Sequence, residues 1–200
     1  MNNNNVRLVG TVSKAPTLSH EVRGEKFYSS EIAILRKSEI VDFIPVIITE
    51  SLLKYSFECG NRVLVEGEFR SFNKRAEDSE KGKVELYVFV QSVCQSIENH
   101  SNYIELTGFI CKEPNYRETP LGREICDTII AVNRLSRRSD YLPCISWGRY
   151  ARIAGVLDVG TKLKLIGRIQ SREYTKQLGD GTTEQRIAYE VSVNSIQVEG

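Results

Sequence analysis

The feature that most constrains the fold of this 200-residue chain is an internal repeat. The segment VRLVGTVSKAP, which begins at Val6, returns as IELTGFICKEP, which begins at Ile104. The same spacing still relates Asp42 to Asp140, and two residues are inserted in the second copy beyond that point. Each copy is close to the common size of a domain and far longer than a solenoid repeat. The sequence therefore predicts two tandem domains, residues 1–97 and 103–200, joined by a short polar linker.

Composition places the chain among ordinary globular proteins. Hydrophobic residues make up 40% and charged residues 26%, and the sequence contains no apolar run of about 18 residues that could span a membrane. The Asn-rich start lacks the basic and apolar regions of a signal peptide, so we expect a cytoplasmic protein without a membrane partner. Five cysteines, an odd number without a C-x-x-C pair, favour buried reduced thiols over disulfides or metal ligands: Cys59, Cys94, Cys111, Cys126 and Cys144.

Charge differs modestly between the two copies. The formal net charge of the chain is +1, with −1 in residues 1–98 and +2 in residues 99–200. Ten of the fourteen basic residues of the second copy are arginine, whereas the first copy has six arginines and seven lysines. Arginine both pairs with phosphate and stacks on planar rings. Any contact with nucleic acid is therefore expected mainly in the second copy.

Hydrophobic alternation with a period of two predicts strands in both copies. In the second copy the strands are predicted at 104–110, 125–132, 141–147, 162–171 and 186–196, with a short helix at 150–157. The first copy gives the same order, with its helix at 51–57 and its last two strands at 62–71 and 84–93. Polar hairpins at 73–83 and 175–184 are expected to be solvated and mobile. The pattern predicts an all-β chain of two tandem five-stranded OB-fold barrels, each with one short helix between strands 3 and 4.

The second copy resembles the bacterial single-stranded DNA-binding protein (SSB) family over nearly its whole length. The resemblance rests on the order and spacing of several short motifs: AVNR from Ala131, WGRYA from Trp147, GTKLKLIGR from Gly160 and QSREY from Gln170. The first copy is a diverged version of the same pattern. The resemblance implies binding of single-stranded DNA without sequence specificity, in replication, recombination or repair, by base stacking and phosphate contacts. It implies neither a cofactor nor a metal.

The aromatic candidates lie on and near the third predicted strand of the second copy. Alternation places Tyr141 and Trp147 on one face of that strand, and the resemblance assigns base stacking to both and to Tyr174. Each stacked base contributes roughly 1–3 kcal/mol. Ile145 lies between the two aromatic residues on the same face, so the face could also point into the core. Periodicity leaves both interpretations open.

The cationic candidates are individually weaker, because each arginine could simply be solvated. Their nearness to loops and aromatic residues favours phosphate contacts, and Arg137, Arg138 and Arg172 are the strongest of the set. The candidates of the second copy are Arg134, Arg137, Arg138, Arg149, Arg168 and Arg172.

The first copy is predicted to have a weaker DNA face. Thr49 stands in place of Trp147, and Glu39 and Glu50 lie near the positions of Arg137 and Arg149, where they would repel phosphates. This half could instead pack against another subunit or a protein partner. Its remaining DNA-binding candidates are Phe43, Arg70, Phe72 and Lys74.

Enzymatic function is not supported by the sequence. It contains neither a Walker loop nor G-x-S-x-G, and neither His20 nor His100 has a plausible catalytic partner. Two hypotheses remain, a single-stranded DNA-binding protein and an OB-fold scaffold for replication or primosome proteins. The resemblance implies four OB folds per assembly, hence a homodimer. The sequence stops directly after its last predicted strand, so we expect no recruitment of partners through an acidic tail.

Overall fold

The computed structural model describes residues 3–53, 57–74, 83–177 and 181–199. Nearly all of these residues lie in β-strands. The elements of the first copy are β1 (Asn4–Val22), β2 (Glu25–Leu35), β3 (Val41–Thr49), α1 (Glu50–Leu53), β4 (Arg62–Lys74) and β5 (Lys83–Gln95). Those of the second copy are β6 (Ser101–Ile110), β7 (Asn115–Glu118), β8 (Glu124–Asn133), β9 (Ser139–Trp147), α2 (Arg149–Ala154), β10 (Lys162–Gln177) and β11 (Thr183–Glu199).

Each copy closes into a five-stranded barrel. In the first copy the strand order is β1-β2-β3-β5-β4 with β4 returning to β1, and β3 pairs with β5 in parallel. In the second copy the order is β6-β8-β9-β11-β10 with β10 returning to β6. A helix follows the third barrel strand in both. The predicted fold of two tandem OB-fold barrels is confirmed, and we keep the proposed domain limits at residues 97 and 103.

Two glycines mark the bulges that let the long fourth strands bend. The pairing of β4 with β5 shifts register at Gly67, and that of β10 with β11 shifts at Gly167. A Cβ atom at Gly67 would lie 2.1 Å from the carbonyl oxygen of Phe89, and one at Gly167 would lie 2.3 Å from that of Ser192. Only glycine allows so close an approach of two backbones. The bends at these positions therefore follow from the missing side chain.

Several local predictions need correction. The described ends of the polar hairpin at 175–184 are paired strand, because β10 and β11 remain in register as far as Gln177 and Thr183. The described part of helix α1 is Glu50–Leu53, and residues 54–56 of the helix predicted at 51–57 lie outside the described residues. Most of the hairpin predicted at 73–83 also lies outside them. Of the cysteines, Cys126 and Cys144 are buried as expected, but Cys59, Cys94 and Cys111 are exposed free thiols.

The two barrels join through their first strands. β1 pairs with β6 in antiparallel register, with Val6 opposite Ile104 and Asn4 opposite Leu106. Since Val6 and Ile104 are equivalent in the repeat, this pair lies on a local twofold axis that relates the barrels. Both residues belong to a single apolar core that extends through the two barrels.

Two equivalent ion pairs complete the junction, and we call them the Asp–Arg clasps. In one, Asp42 accepts hydrogen bonds from Arg36 and, at 2.9 Å, from the backbone N–H of Ser171 in the other barrel. In the other, Asp140 accepts them from Arg134 and, at 2.6 Å, from the backbone N–H of Ser71. Both carboxylates are fully buried, and the hydrogen bond to its aspartate raises the pKa of each arginine. The clasps thus fix one barrel against the other.

Within the described ranges, no helix is both long and apolar enough to cross a membrane.

Candidate nucleic-acid interface

Strand β9 presents its aromatic side chains to the outside of the second barrel. Tyr141 is 52% exposed and Trp147 is 39% exposed, whereas the alternate residues Leu142 and Cys144 are buried. Ile145, on the aromatic face, is also buried. Alternation along β9 therefore points these two rings outward, which removes the interpretation of Trp147 as a core residue.

Trp147 borders a cleft of about 420 Å³, which we call the tryptophan cleft. Arg168 on β10 and the small Ser192 on β11, which lie directly opposite each other, both line the cleft. The other lining residues are Arg123, which directly precedes β8, Tyr150 on α2, and Val193 and Asn194 on β11. Together they surround an aromatic face with two guanidinium groups and an amide.

Arg168 is the one arginine of the described residues whose guanidinium holds a buried nitrogen without a hydrogen-bond partner, at Nε. Its Nη2 donates a 3.3 Å hydrogen bond to Gln170. Burial lowers the pKa of Arg168, and the nearby charge of Arg36 lowers it further. A buried donor with no acceptor costs free energy that an anion would recover. Arg168 therefore remains a candidate for a phosphate contact at the tryptophan cleft.

A second and larger cleft, of about 1100 Å³, lies between the barrels. Tyr141 and Tyr174 line it from the second barrel, and the guanidinium of Arg172 lies 5.9 Å from the ring of Tyr174. Arg172 is exposed, with Glu190 at 3.7 Å. The three aromatic candidates are therefore divided, because Tyr141 and Tyr174 share the interbarrel cleft while Trp147 lies in the tryptophan cleft.

The remaining predicted cations of the second barrel have distinct surroundings. Arg137 and Arg138 are exposed on the turn before β9, where the backbone N–H of Arg137 donates to the carbonyl of Arg134. Arg149 stacks over Tyr150 at 4.5 Å and donates a hydrogen bond to its hydroxyl, which lowers the pKa of Tyr150. These three arginines remain accessible to a phosphate.

Arg134 occupies a structural position, which the sequence prediction did not foresee. Its guanidinium is committed to Asp140, at 2.7 Å from Nε to Oδ2, and it also donates to the carbonyl of Ser71 at 3.0 Å. Arg134 is thus part of an Asp–Arg clasp. A contact between Arg134 and DNA would have to compete with this buried pair. The phosphate contact predicted for Arg134 therefore remains a prediction.

Comparison with known proteins identifies the second barrel. A model of the single-strand binding protein family matches residues 101–199. The second barrel belongs to the single-strand binding protein family. Single-stranded DNA-binding protein A of Bacillus subtilis is 34% identical over 104 residues, 48% of this chain and 58% of that protein. Single-stranded DNA-binding protein 1 of Staphylococcus aureus is 34% identical over 85 residues, 39% of this chain and 51% of that protein. The chain thus spans between half and three-fifths of these relatives.

A solved structure resembles both barrels at once. The wild-type single-stranded DNA binding protein from Thermus aquaticus superposes with a TM-score of 0.77, at 22% identity. The match covers 98% of this chain and 93% of the Thermus chain. At this level of identity the likeness concerns the fold. The Thermus chain therefore has the same tandem arrangement of two barrels as this chain.

The first barrel carries different side chains at the position of the tryptophan cleft. Its β4–β5 pair places Glu68 opposite Phe89 where the family-matched barrel has Arg168 opposite Ser192. Phe89 thus stands at the position of Ser192. The guanidinium of Arg70 stacks over the Phe89 ring at 3.9 Å and forms an ion pair with Glu68. The predicted cation Arg70 is therefore already engaged.

The other first-barrel candidates are separate from one another. Phe43 is 43% exposed on β3, and Phe72 is 53% exposed near the end of β4. The side chain of Lys74 lies outside the described residues. Sequence reasoning missed Arg123 and Asn194, whose proximity to Trp147 depends on the register between strands. It also did not single out Tyr150, although Tyr150 belongs to the WGRYA motif that begins at Trp147. No linear motif of the single-strand binding protein family marks them as a group in this chain.

Proposed function

We propose that this chain binds single-stranded DNA without sequence specificity, mainly through the second barrel. The observation that carries the proposal is the exposed Trp147 beside Arg168, whose buried Nε lacks an acceptor in the described residues. An indole offers a flat surface for any base, and an uncompensated guanidinium offers a site for a phosphate. The relatives are named for the same ligand.

The path of the strand would connect the two clefts. Tyr141 and Trp147 lie on the same face of β9 six residues apart, which corresponds to roughly 20 Å along an extended strand. Arg137, Arg138 and Arg149 flank this face at either end. A single strand that crosses β9 would therefore meet aromatic surface and cations along its whole course.

The cellular role follows the family: replication, recombination or repair in the cytoplasm, without catalysis. A homodimer of two chains, which would bring four OB folds together, is part of the proposal. Val84 and Ile187, equivalent residues of the two barrels, are each about half exposed beside the interbarrel cleft and supply apolar surface for it. Sedimentation at micromolar concentration tests the dimer, and a monomer contradicts it.

The alternative function is an OB-fold scaffold that contacts replication or primosome proteins and binds little DNA. The committed ion pair of Arg70 in the first barrel favours such a role for that half. The second barrel, with its open cleft, favours DNA. The two functions are distinguished by whether oligonucleotides reach Trp147.

Fluorescence of the single tryptophan tests the proposal. Titration with oligothymidine is expected to quench Trp147 to saturation, because a stacked base would cover the indole. Added salt is expected to weaken binding, with a slope of log K against log salt near −0.7 per neutralised phosphate. Tyr141→Ala serves as a second variant that leaves the reporter in place and lowers affinity. Absence of both quenching and a gel shift would overturn the proposal in favour of the scaffold.

A further inference from the structure

The first barrel carries an aromatic band that the single-strand motifs do not predict. Four side chains from four strands follow one another across its outer face: His20, Phe27, Phe89 and Arg70. The rings of His20 and Phe27 stack with centroids 4.8 Å apart and planes 6° apart. Phe27 and Phe89 lie 6.2 Å apart, and Arg70 covers Phe89. We call this group the His–Phe band.

The band occupies the counterpart of the Trp147 region. In the second barrel, Ile125 on β8 is directly opposite Trp147 on β9. In the first barrel the equivalent pair is Phe27 on β2 opposite Thr49 on β3. Residues directly opposite on antiparallel strands share a face and have neighbouring Cβ atoms. The same cross-strand pair therefore carries one aromatic residue in each barrel. In the second barrel it is on the third barrel strand, and in the first barrel it is on the second barrel strand.

Within the part of the chain that the structure describes, the ring stacking of His20 involves one face of its imidazole only. β1 pairs with β4 only from Val6 to Thr11, so the described neighbour of β1 at His20 is β2 alone. His20 is exposed, and its Nδ1 lies 3.0 Å from the Ser19 hydroxyl, which orients the ring. Phe27 covers one face of the imidazole. A planar group that stacked on the other face would extend the existing stack at ordinary ring spacing.

The charges around the band are not those of a phosphate site. Arg70 is paired with Glu68, and Glu50 lies nearby, where it contacts Lys26 and Tyr28. Ligand recognition here would depend on the flat face of a ring and not on a cation. A nucleobase fits this chemistry, since bases stack on aromatic side chains with little preference among them.

We propose that His20, supported by Phe27, is a second base-stacking platform, so that the first barrel holds a base of the same strand that binds at Trp147. The inference rests on the proposed function, because it assigns a further contact to the same single-stranded ligand. Its signature is a contribution to affinity that depends on oligonucleotide length and hardly on salt. The tryptophan cleft, in contrast, contributes through both stacking and charge.

The test uses the full chain and the variant His20→Ala, with Leu18→Ala as matched control. Leu18 is exposed on the same strand as His20. It lies opposite Tyr28, which is outside the His–Phe band, whereas His20 lies opposite Phe27. Affinity is measured by anisotropy for labelled oligothymidines of about 8 and about 30 nucleotides, since one OB fold covers roughly 4–16 nucleotides. Phe27→Leu provides a second variant that keeps apolar volume.

His20→Ala is expected to weaken binding of the long oligonucleotide at least about fivefold, by the same factor at low and high salt, and to leave the short one and Trp147 quenching unchanged. Leu18→Ala is expected to change neither. Equal affinity of native protein and His20→Ala for the long oligonucleotide, while Trp147 is still quenched, would overturn the platform alone. Failure of the native protein to quench or bind at all would instead overturn the proposed function.

Discussion

Where the fourth and fifth strands of each barrel face each other, the two halves of this chain carry opposite chemistry. The first barrel has Glu68 opposite Phe89, and the second has Arg168 opposite Ser192. In the first, the aromatic ring fills the outer groove and the acid binds Arg70. In the second, the small Ser192 and Arg168 line the tryptophan cleft, and the Nε of Arg168 is buried without a hydrogen-bond partner in the described residues. Differences at two equivalent positions thus give the same backbone an acid beside an aromatic ring in one barrel and an arginine beside a serine in the other.

The buried parts of the two halves diverged far less than these surfaces. Leu8 and Leu106 are fully buried at equivalent positions of the first strands, and each barrel contributes one Asp–Arg clasp. Side chains near the local twofold axis form hydrogen bonds with both barrels. A substitution in one barrel would therefore leave a buried hydrogen-bonding group of the other barrel without its partner. The outer faces are free of this constraint, which explains why they differ.

The largest expected effect concerns the clasps and tests their equivalence. Asp42→Ala and Asp140→Ala each remove a buried carboxylate and leave a guanidinium uncompensated, so each is expected to lower the free energy of unfolding by about 3–5 kcal/mol. Asp42→Ala is expected to cost more, because Arg168 adds positive charge near Arg36, whereas Glu68 adds negative charge near Arg134. Urea denaturation measures both.

Asp127→Ala is the control for the clasp variants. Asp127 forms an exposed ion pair with Arg117 at 2.7 Å, and exposed pairs contribute at most about 1 kcal/mol. The comparison would be contradicted if Asp140→Ala destabilised the chain as much as Asp42→Ala, since the charges beyond each clasp would then have no effect on its stability.

A smaller effect is expected at the pair that distinguishes the two outer faces. Trp147→Ala is expected to weaken single-stranded DNA binding by roughly 1–3 kcal/mol, the value of one stacked base. Thr49→Ala, at the equivalent position of the first barrel, is expected to leave affinity unchanged because the aromatic ring there belongs to Phe27 on the neighbouring strand. Anisotropy titrations of labelled oligothymidine give both values. Equal losses for the two variants would show that the barrels contact DNA alike.

The sequence predicts the barrels well because alternation and bulge glycines are local features of each strand. The repeat, in turn, gives the number of domains. The sequence also predicts that Tyr141 and Trp147 share a face, since that follows from their even spacing along β9. It does not predict what lies across from them. The tryptophan cleft requires the pairing of Arg168 with Ser192, and the His–Phe band requires that of His20 with Phe27. Both are set by the register between paired strands, which alternation along a single strand does not reveal.

Arg134 shows the same limit in another form. Its position in a family motif suggested phosphate binding, but its partner Asp140 lies six residues on, and the third member of the group, Ser71, belongs to the other barrel. A contact between the two copies of a repeat cannot be predicted from the sequence of either copy alone. The exposure of Cys59, Cys94 and Cys111 was missed for a related reason, since an apolar neighbourhood in sequence does not establish burial.

The smallest expected effect is on salt dependence, and it compares equivalent turn residues. Arg137 and Glu39 occupy the same position before the third barrel strand, and both have left-handed backbone, with φ of 63° and 65°. Asparagine tolerates this conformation, so Arg137→Asn and Glu39→Asn are matched substitutions. If Arg137 neutralises one phosphate, Arg137→Asn reduces the magnitude of the log K against log salt slope by about 0.7. Glu39→Asn is expected to leave the slope unchanged, because the first barrel binds by stacking and not through charge. A change of slope with Glu39→Asn would mean that the strand passes close to that turn, and the two barrels would then differ in degree and not in the way they hold DNA.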